Sequence, residues 1–225
     1  MKIVSLLPSA TEIVYALDLE DALVGVTFEC DHPPAAADKP VISRTSLSLR
    51  DELSAGEIDG LVSEKMGAEE PLYVLDEERI RSIQPDLILA QDLCHVCAVP
   101  SGQVAAALDK LGCDATVVSL DPSSVEDIFT GIVEVGRVAG VPDRAVALVD
   151  GLRRRVAGVR SAAGGSEPVP ALALEWSDPP FIGGHWVPEM LEIAGGRDVF
   201  DNAGQRSRRV GGADIAHAAP EVVVF

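Results

Sequence analysis

The sequence predicts an α/β protein built as two lobes joined by a single long helix, with the second lobe incomplete at its C-terminus. Three observations predict it. Short apolar runs alternate with helix-period segments through the first 140 residues, the rhythm of parallel strands covered by helices on both faces. A helical stretch at 142–162, "PDRAVALVDGLRRRVAGVRSA", then continues far longer than its neighbours, and "AGGSEPVP" at 163–170 has linker composition. After it the alternation restarts with "ALALEW" and stops at "EVVVF", inside an apolar strand. The expected divisions are 1–140 for the first lobe, 141–163 for the bridging helix and 170–225 for the incomplete second lobe.

The elements follow in order. "KIVSLL" is a β-rich run. In "PSATEIVYALDL", Ser9 and Glu12 have the spacing of a capping box, and Ile13, Val14 and Leu17 follow at helical spacing. "ALVGVT" at 22–27 is the next strand. A helix over Asp76–Ile83 is closed by Pro85, and "DLILAQ" is a strand. "SGQVAAALDKLG" is a helix with Gly112 as its stop, "ATVVSL" a strand, and "SSVEDIFTGIVEVGRVAG" a helix. Beyond the linker, "WVPEMLEIAGG" is a helix ending at Gly195-Gly196. "IRSIQPDLIL" (80–89) and "IAHAAPEVVV" (215–224) share one order: Ile, four residues, Pro, an acid, three apolar residues. Each reads as a helix stopped by Pro that feeds a strand, one copy per lobe.

Composition limits the partners. The 225 residues carry 36 acidic against 18 basic side chains, a formal net charge of -18, which repels nucleic acid and anionic lipid surfaces. No apolar run is long enough to cross a bilayer. "MKIVSLLPSATE" reaches a Pro too soon to be a secretory signal, so a cytoplasmic location stays open. The four cysteines, Cys30, Cys94, Cys97 and Cys113, are too few for a disulfide scaffold in a chain of this length.

In open parallel sheets, ligands bind beyond the carboxyl ends of the strands. Three loops occupy such ends in the first lobe: "LPSAT" with Pro8 and Ser9, "FECDHPP" with Phe28, Glu29 and Cys30, and "DLCHVCAVP" with Cys94, His95 and Cys97. A fourth, "WSDPPFIGGHWVPE", holds both tryptophans of the chain, Trp176 and Trp186, with Phe181 and His185. Aromatics make up only 4% of the sequence, so this concentration reads either as a core patch or as a wall for a flat organic ligand. The Cys-His-Val-Cys corner admits zinc, redox chemistry or thiols lining a pocket. A structural zinc wants a second ligand pair, which Cys30 and His32 could supply only if the two loops meet, and a redox pair opens a helix directly after a strand, whereas "AVPSG" intervenes here. The expectation is therefore pocket residues and no structural metal. No nucleophile elbow, dinucleotide fingerprint or P-loop is present, so no catalytic residue is assigned and the protein is not expected to be an enzyme.

"SLLPSATEIVYALDLEDALVGVT", "LDEERIRSIQPDLILAQ" and "DPPFIGGHWVPEMLEIAGGRDVF" resemble the substrate-binding proteins of ABC importers for vitamin B12 and iron-siderophores, across essentially the whole chain. The likeness is strongest to vitamin B12-binding proteins. It implies two Rossmann-like lobes bridged by one rigid helix, the arrangement of class III periplasmic binding proteins. It further implies ligand capture in the interlobe cleft, an extracytoplasmic location, and docking on a permease through one carboxylate per lobe. An acid seven residues before the Pro of "PDLIL" is Glu78; the matching place before Pro220 is Ala213, with Asp214 beside it. The implied function is capture of a corrinoid such as cobalamin, with no intrinsic cofactor. The alternatives are a siderophore or haem binder of the same fold, for which Arg206, Arg208 and Arg209 offer cations, and an intracellular metal-dependent enzyme or sensor using the Cys/His loop.

Overall fold

The computed structural model describes residues 1–48, 53–93 and 99–225. The first half of the chain reads β1 (Ile3–Ser5), α1 (Pro8–Ala16), β2 (Leu23–Thr27), a 3-10 turn at Pro34–Ala36, β3 (Val41–Thr45), α2 (Ala55–Gly67) and β4 (Tyr73–Leu75). Then come α3 (Glu77–Ile83), β5 (Leu87–Ala90), α4 (Ser101–Leu111), β6 (Thr116–Ser119), α5 (Val125–Val138) and the 22-residue α6 (Pro142–Ala163). The remainder is β7 (Val169–Ser177), β8 (Pro180–Ile182), α7 (Val187–Ile193), β9 (Gly196–Asp198), β10 (Arg208–Arg209), α8 (Gly212–Ala218) and β11 (Val222–Val224). Sequence periodicity did not resolve β3, α2 and β4. β3 carries three polar residues in five, and α2 buries none of its residues, so neither shows a strong apolar face.

Two compact units emerge from the contacts. One holds Met1–Ser48, Val62–Asp121 and Gly131–Leu148; the other holds Pro122–Thr130, Val149–Phe225 and the described part of 49–61. The first sheet has the order β4-β3-β2-β1-β5-β6 and is parallel except at one edge, where β4 runs antiparallel to β3. The second groups β10-β8-β7-β11, with β9 also on β7. There β7 pairs parallel with β9 and β11 but antiparallel with β8, and β8 pairs antiparallel with β10. Both sheets are thus mixed, where the sequence reading expected parallel ones. Apolar alternation shows that a strand exists, but its direction at an edge depends on partners distant in sequence.

Local chemistry explains most boundaries. α4 ends where Gly112 turns left-handed at φ 64, as its sequence predicts. α1 departs from expectation: its N-cap is Leu7 with no side-chain cap, and Pro8 occupies the first turn. Ser9 is therefore already helical and exposed, and the Ser9–Glu12 capping box does not form. The strand after the linker begins at Val169, and Gly196 opens β9 instead of closing α7.

The sequence repeat is also a structural repeat. α3 ends at Gln84 (φ 50) and α8 at Ala219 (φ 48), both left-handed and both followed by Pro. Gln84 N donates to Ile80 O at 3.0 Å and Ala219 N to Ile215 O at 3.1 Å. The acid after each Pro then ties to a neighbouring strand: Asp86 N to Lys2 O at 2.9 Å, Glu221 N to Pro170 O at 2.8 Å. The two copies differ in core size. Ile88, Val4, Leu6, Ile42 and Val104 belong to one extended cluster in the first unit, whereas the second unit's cluster centres on Leu172, Ile182 and Val210. β11 lies in the second sheet as expected, with Val222, Val223 and Val224 45%, 52% and 48% exposed.

Candidate functional site

β2, β1 and β5 lie side by side and parallel, so the loops that follow them leave from one edge of the first sheet. Pro8 is half-buried there and Ser9 exposed. Phe28, half-buried, stacks obliquely on Tyr73 with ring centroids 6.5 Å apart. Glu29 keeps an exposed surface, yet the crowding around its carboxyl raises its pKa. Burial raises Tyr73 strongly, and the Glu29 carboxylate adds to it. Cys30 is withdrawn from solvent, its sulfur 3.1 Å from Thr11 Oγ1. Its thiol pKa is raised, chiefly by burial, against the opposing pull of hydrogen bonds with Thr11 and Thr27. Such a thiol is a small hydrophobe and not a nucleophile.

Cys94, His95 and Cys97 lie outside the described residues. The chain on either side is pinned. Asp121 Oδ1 accepts from the backbone N–H of Asp92 at 2.6 Å and of Leu93 at 2.7 Å, while Asp92 Oδ1 accepts from Ser101 N at 2.7 Å. Among the described residues, no three His, Cys, Asp or Glu side chains cluster as a metal site.

In the second unit the aromatic loop is a hairpin followed by a tight corner. Trp176 and Phe181 face each other across β7 and β8, both half-buried. The Trp176 indole N–H is committed to structure, donating to Asp178 O at 2.9 Å and Ala55 O at 3.2 Å. It thereby fastens the first turn of α2, a role that the composition of the loop does not reveal. His185 and Trp186 form the corner, with ring centroids 6.0 Å apart. His185 has a left-handed backbone, φ 54. Its N–H donates to Gln205 O at 2.6 Å, and its carbonyl accepts from Gly204 N at 2.9 Å. Gly184 lies flat on that segment: a Cβ there would stand 2.3 Å from Ser207 N, so only glycine fits. Burial holds the imidazole pKa below its ordinary value, Arg206 acts in the same sense and Glu175 opposes both. Burial thereby favours the neutral ring, the form that can offer a nitrogen to a metal centre.

Sequence reasoning missed Tyr73, Asp198 and Asn202. Asp198 and Asn202 are the second unit's buried polar pair, at 5% and 4% exposure. The signal was present in "GGRDVFDNAG", where two polar residues flank Val199 and Phe200 at a four-residue interval, but only burial shows that they point inward. The proposed docking carboxylates, Glu78 on α3 and Asp214 on α8, are both exposed. Asp214 also accepts from Gly211 N at 3.0 Å, so it caps α8 as well.

The chain matches the periplasmic binding protein family over residues 3–225. It is 26% identical over 226 residues to a vitamin B12-binding protein of Vibrio parahaemolyticus serotype O3:K6, covering 99% of this chain and 69% of that protein. Among solved structures, it is similar to the periplasmic vitamin B12-binding protein of Vibrio cholerae, with a TM-score of 0.71 and 22% identity over 99% of this chain and 74% of that one. It is also similar to the apo periplasmic haem-binding protein of Roseiflexus sp. RS-1, with a TM-score of 0.67 and 23% identity over 99% of this chain and 74% of that one.

Proposed function

Because this chain belongs to the periplasmic binding protein family, we propose that it captures a corrinoid, with cobalamin as the representative, for delivery to an ABC importer. Members of this family bind solutes and are not enzymes, and the family is extracytoplasmic. This chain is a solute-binding protein of the vitamin B12, haem and siderophore class. Among the described residues no helix is long and apolar enough to cross a membrane. The observation that carries the corrinoid reading is the match of 99% and 100% of this chain to two vitamin B12-binding relatives, 69% and 70% of whose length it covers.

The neutral His185 beside Trp186 supports a ligand with a flat, metal-centred ring. Pro8, Ser9, Phe28 and Glu29 are the contacts we assign to the first unit, with Cys94, His95 and Cys97 from the adjoining loop. Phe181, His185 and Trp186 are those of the second, with Trp176 holding the hairpin beneath them. Cys30 supports the first set through Thr11. Glu78 and Asp214 are assigned to docking on the permease. A haem ligand is the second reading, favoured by the likeness to haem-binding folds and by the same imidazole.

The test is a spectral titration of purified protein with cyanocobalamin and with haem. A saturable shift of the corrinoid bands at one equivalent is expected. Haem binding without any cobalamin response would replace the first reading with the second. One zinc per purified chain, with neither ligand bound, would remove both. Glu78→Ala and Asp214→Ala should leave that titration unchanged and lower uptake when the chain is coupled to its permease. Loss of ligand binding in either variant would contradict the docking role.

A further inference from the structure

We infer that Asn202 and Asp198 are positioning residues that hold His185 in its left-handed backbone conformation, and so set the His185–Trp186 corner before any ligand arrives. The left-handed region is sparsely populated by residues that carry a Cβ, and such a residue persists only where its surroundings over-determine it. His185 is over-determined by one segment, 202–207. Two backbone hydrogen bonds run between His185 and residues 204 and 205, and Gly184 is pressed against 205–207. The Asn202 side chain in turn holds that segment. Asn202 Nδ2 donates to Gly183 O at 2.9 Å, just before the corner, and to Arg206 O at 3.2 Å, just after the two bonds to His185. Both amide hydrogens are spent on the two stretches of backbone that flank His185, one on each.

Asp198 completes the arrangement from the end of β9. Its Oδ2 accepts from Asn202 N at 2.8 Å and its Oδ1 from Phe200 N at 3.3 Å, which fixes the turn that aims the amide. Both residues are buried, so the role assigned to them is to hold the corner and not to contact a ligand. The Glu175 carboxylate adds an outer tie by accepting from Gly184 N at 3.2 Å. The consequence is a preorganised imidazole: the cost of ordering the corner is met during folding and not on binding.

The test separates positioning from plain stability. The His185 ring resonance, assigned by its loss in His185→Gln, reports the corner without any ligand. Trp186 emission in a Trp176→Phe background reports it a second way. Asn202→Ser should shift the His185 resonance, move the Trp186 emission to the red and weaken binding of cyanocobalamin or haem about tenfold, as outer supporting residues do. His185→Gly should raise the melting temperature by a few degrees, because glycine adopts this conformation without penalty, and yet weaken binding. In the His185→Gly background, Asn202→Ser should then cost less than threefold in affinity. If the two substitutions act independently, or if Asn202→Ser lowers only the melting temperature and leaves both spectra unmoved, the positioning role is wrong. Should Asn202→Ser not fold, Asp198→Asn carries the same comparison. The affinity readings rest on the ligand proposed above. If neither ligand binds the native chain, that reading fails while the two spectra still decide this one.

Discussion

Trp186→Ala should weaken ligand capture at least tenfold, about 1.4 kcal/mol or more, while leaving the melting temperature nearly unchanged. Trp186 is half-buried, its ring packs near the His185 imidazole, and its indole makes no hydrogen bond to another of the described residues. Its exposed face is the area a flat ligand would cover, and stacking with an aromatic ring adds about 0.5–1.5 kcal/mol beyond burial. Trp176→Ala should behave differently, although sequence alone gave the two tryptophans one role. The Trp176 N–H binds the carbonyls of Ala55 and Asp178, so its loss removes a hydrogen bond of about 1 kcal/mol and loosens the start of α2. Parallel titrations and melts of the two variants check the pair. An unchanged affinity in Trp186→Ala would remove the aromatic corner from the binding site.

Ile88→Ala should cost about 3 kcal/mol of stability, a fall in melting temperature on the order of 10 °C for a chain of this size. Ile88 is fully buried in β5, opposite Val4 of β1 on one side and Val117 of β6 on the other. It belongs to the larger of the two described apolar clusters, where a cavity cannot collapse without moving several strands. Ile88→Val removes one methylene and should cost about 1 kcal/mol. Urea unfolding of both variants reads the difference. Equal midpoints for the alanine and valine forms would show that the site relaxes freely and that the cluster is not closely packed.

Much of this fold was legible in the sequence. The helix at 142–163, the Gly112 stop and the paired Ile-to-Pro repeat all rest on interactions within a few residues, which local sequence specifies directly. For the candidate site the sequence offered a location only. The carboxyl ends of β1, β2 and β5 follow from strand order, and the aromatic loop stood out by composition. The failures share a cause. Ser9 matches a capping box, but Pro8 starts the helix one residue earlier and takes Ser9 into the first turn. β4 carries a strand pattern in three residues, too few to register, and its antiparallel direction is set by β3.

By itself the sequence determined the class of the molecule: alternating strands and helices, a strongly acidic surface, no catalytic set, and motifs that place it among solute-binding proteins. Those properties are sums over local patterns and charges, and they survive without coordinates. What a given side chain does was decided only by the tertiary structure. Trp176 and Trp186 are equivalent in composition, yet one fastens a helix that starts 121 residues away and the other closes an aromatic corner. Asn202 is an unremarked polar residue until its two amide hydrogens are seen to span Gly183 and Arg206. The reason is physical: a hydrogen bond depends on distance and angle between groups that chain folding brings together, and no local periodicity encodes that meeting.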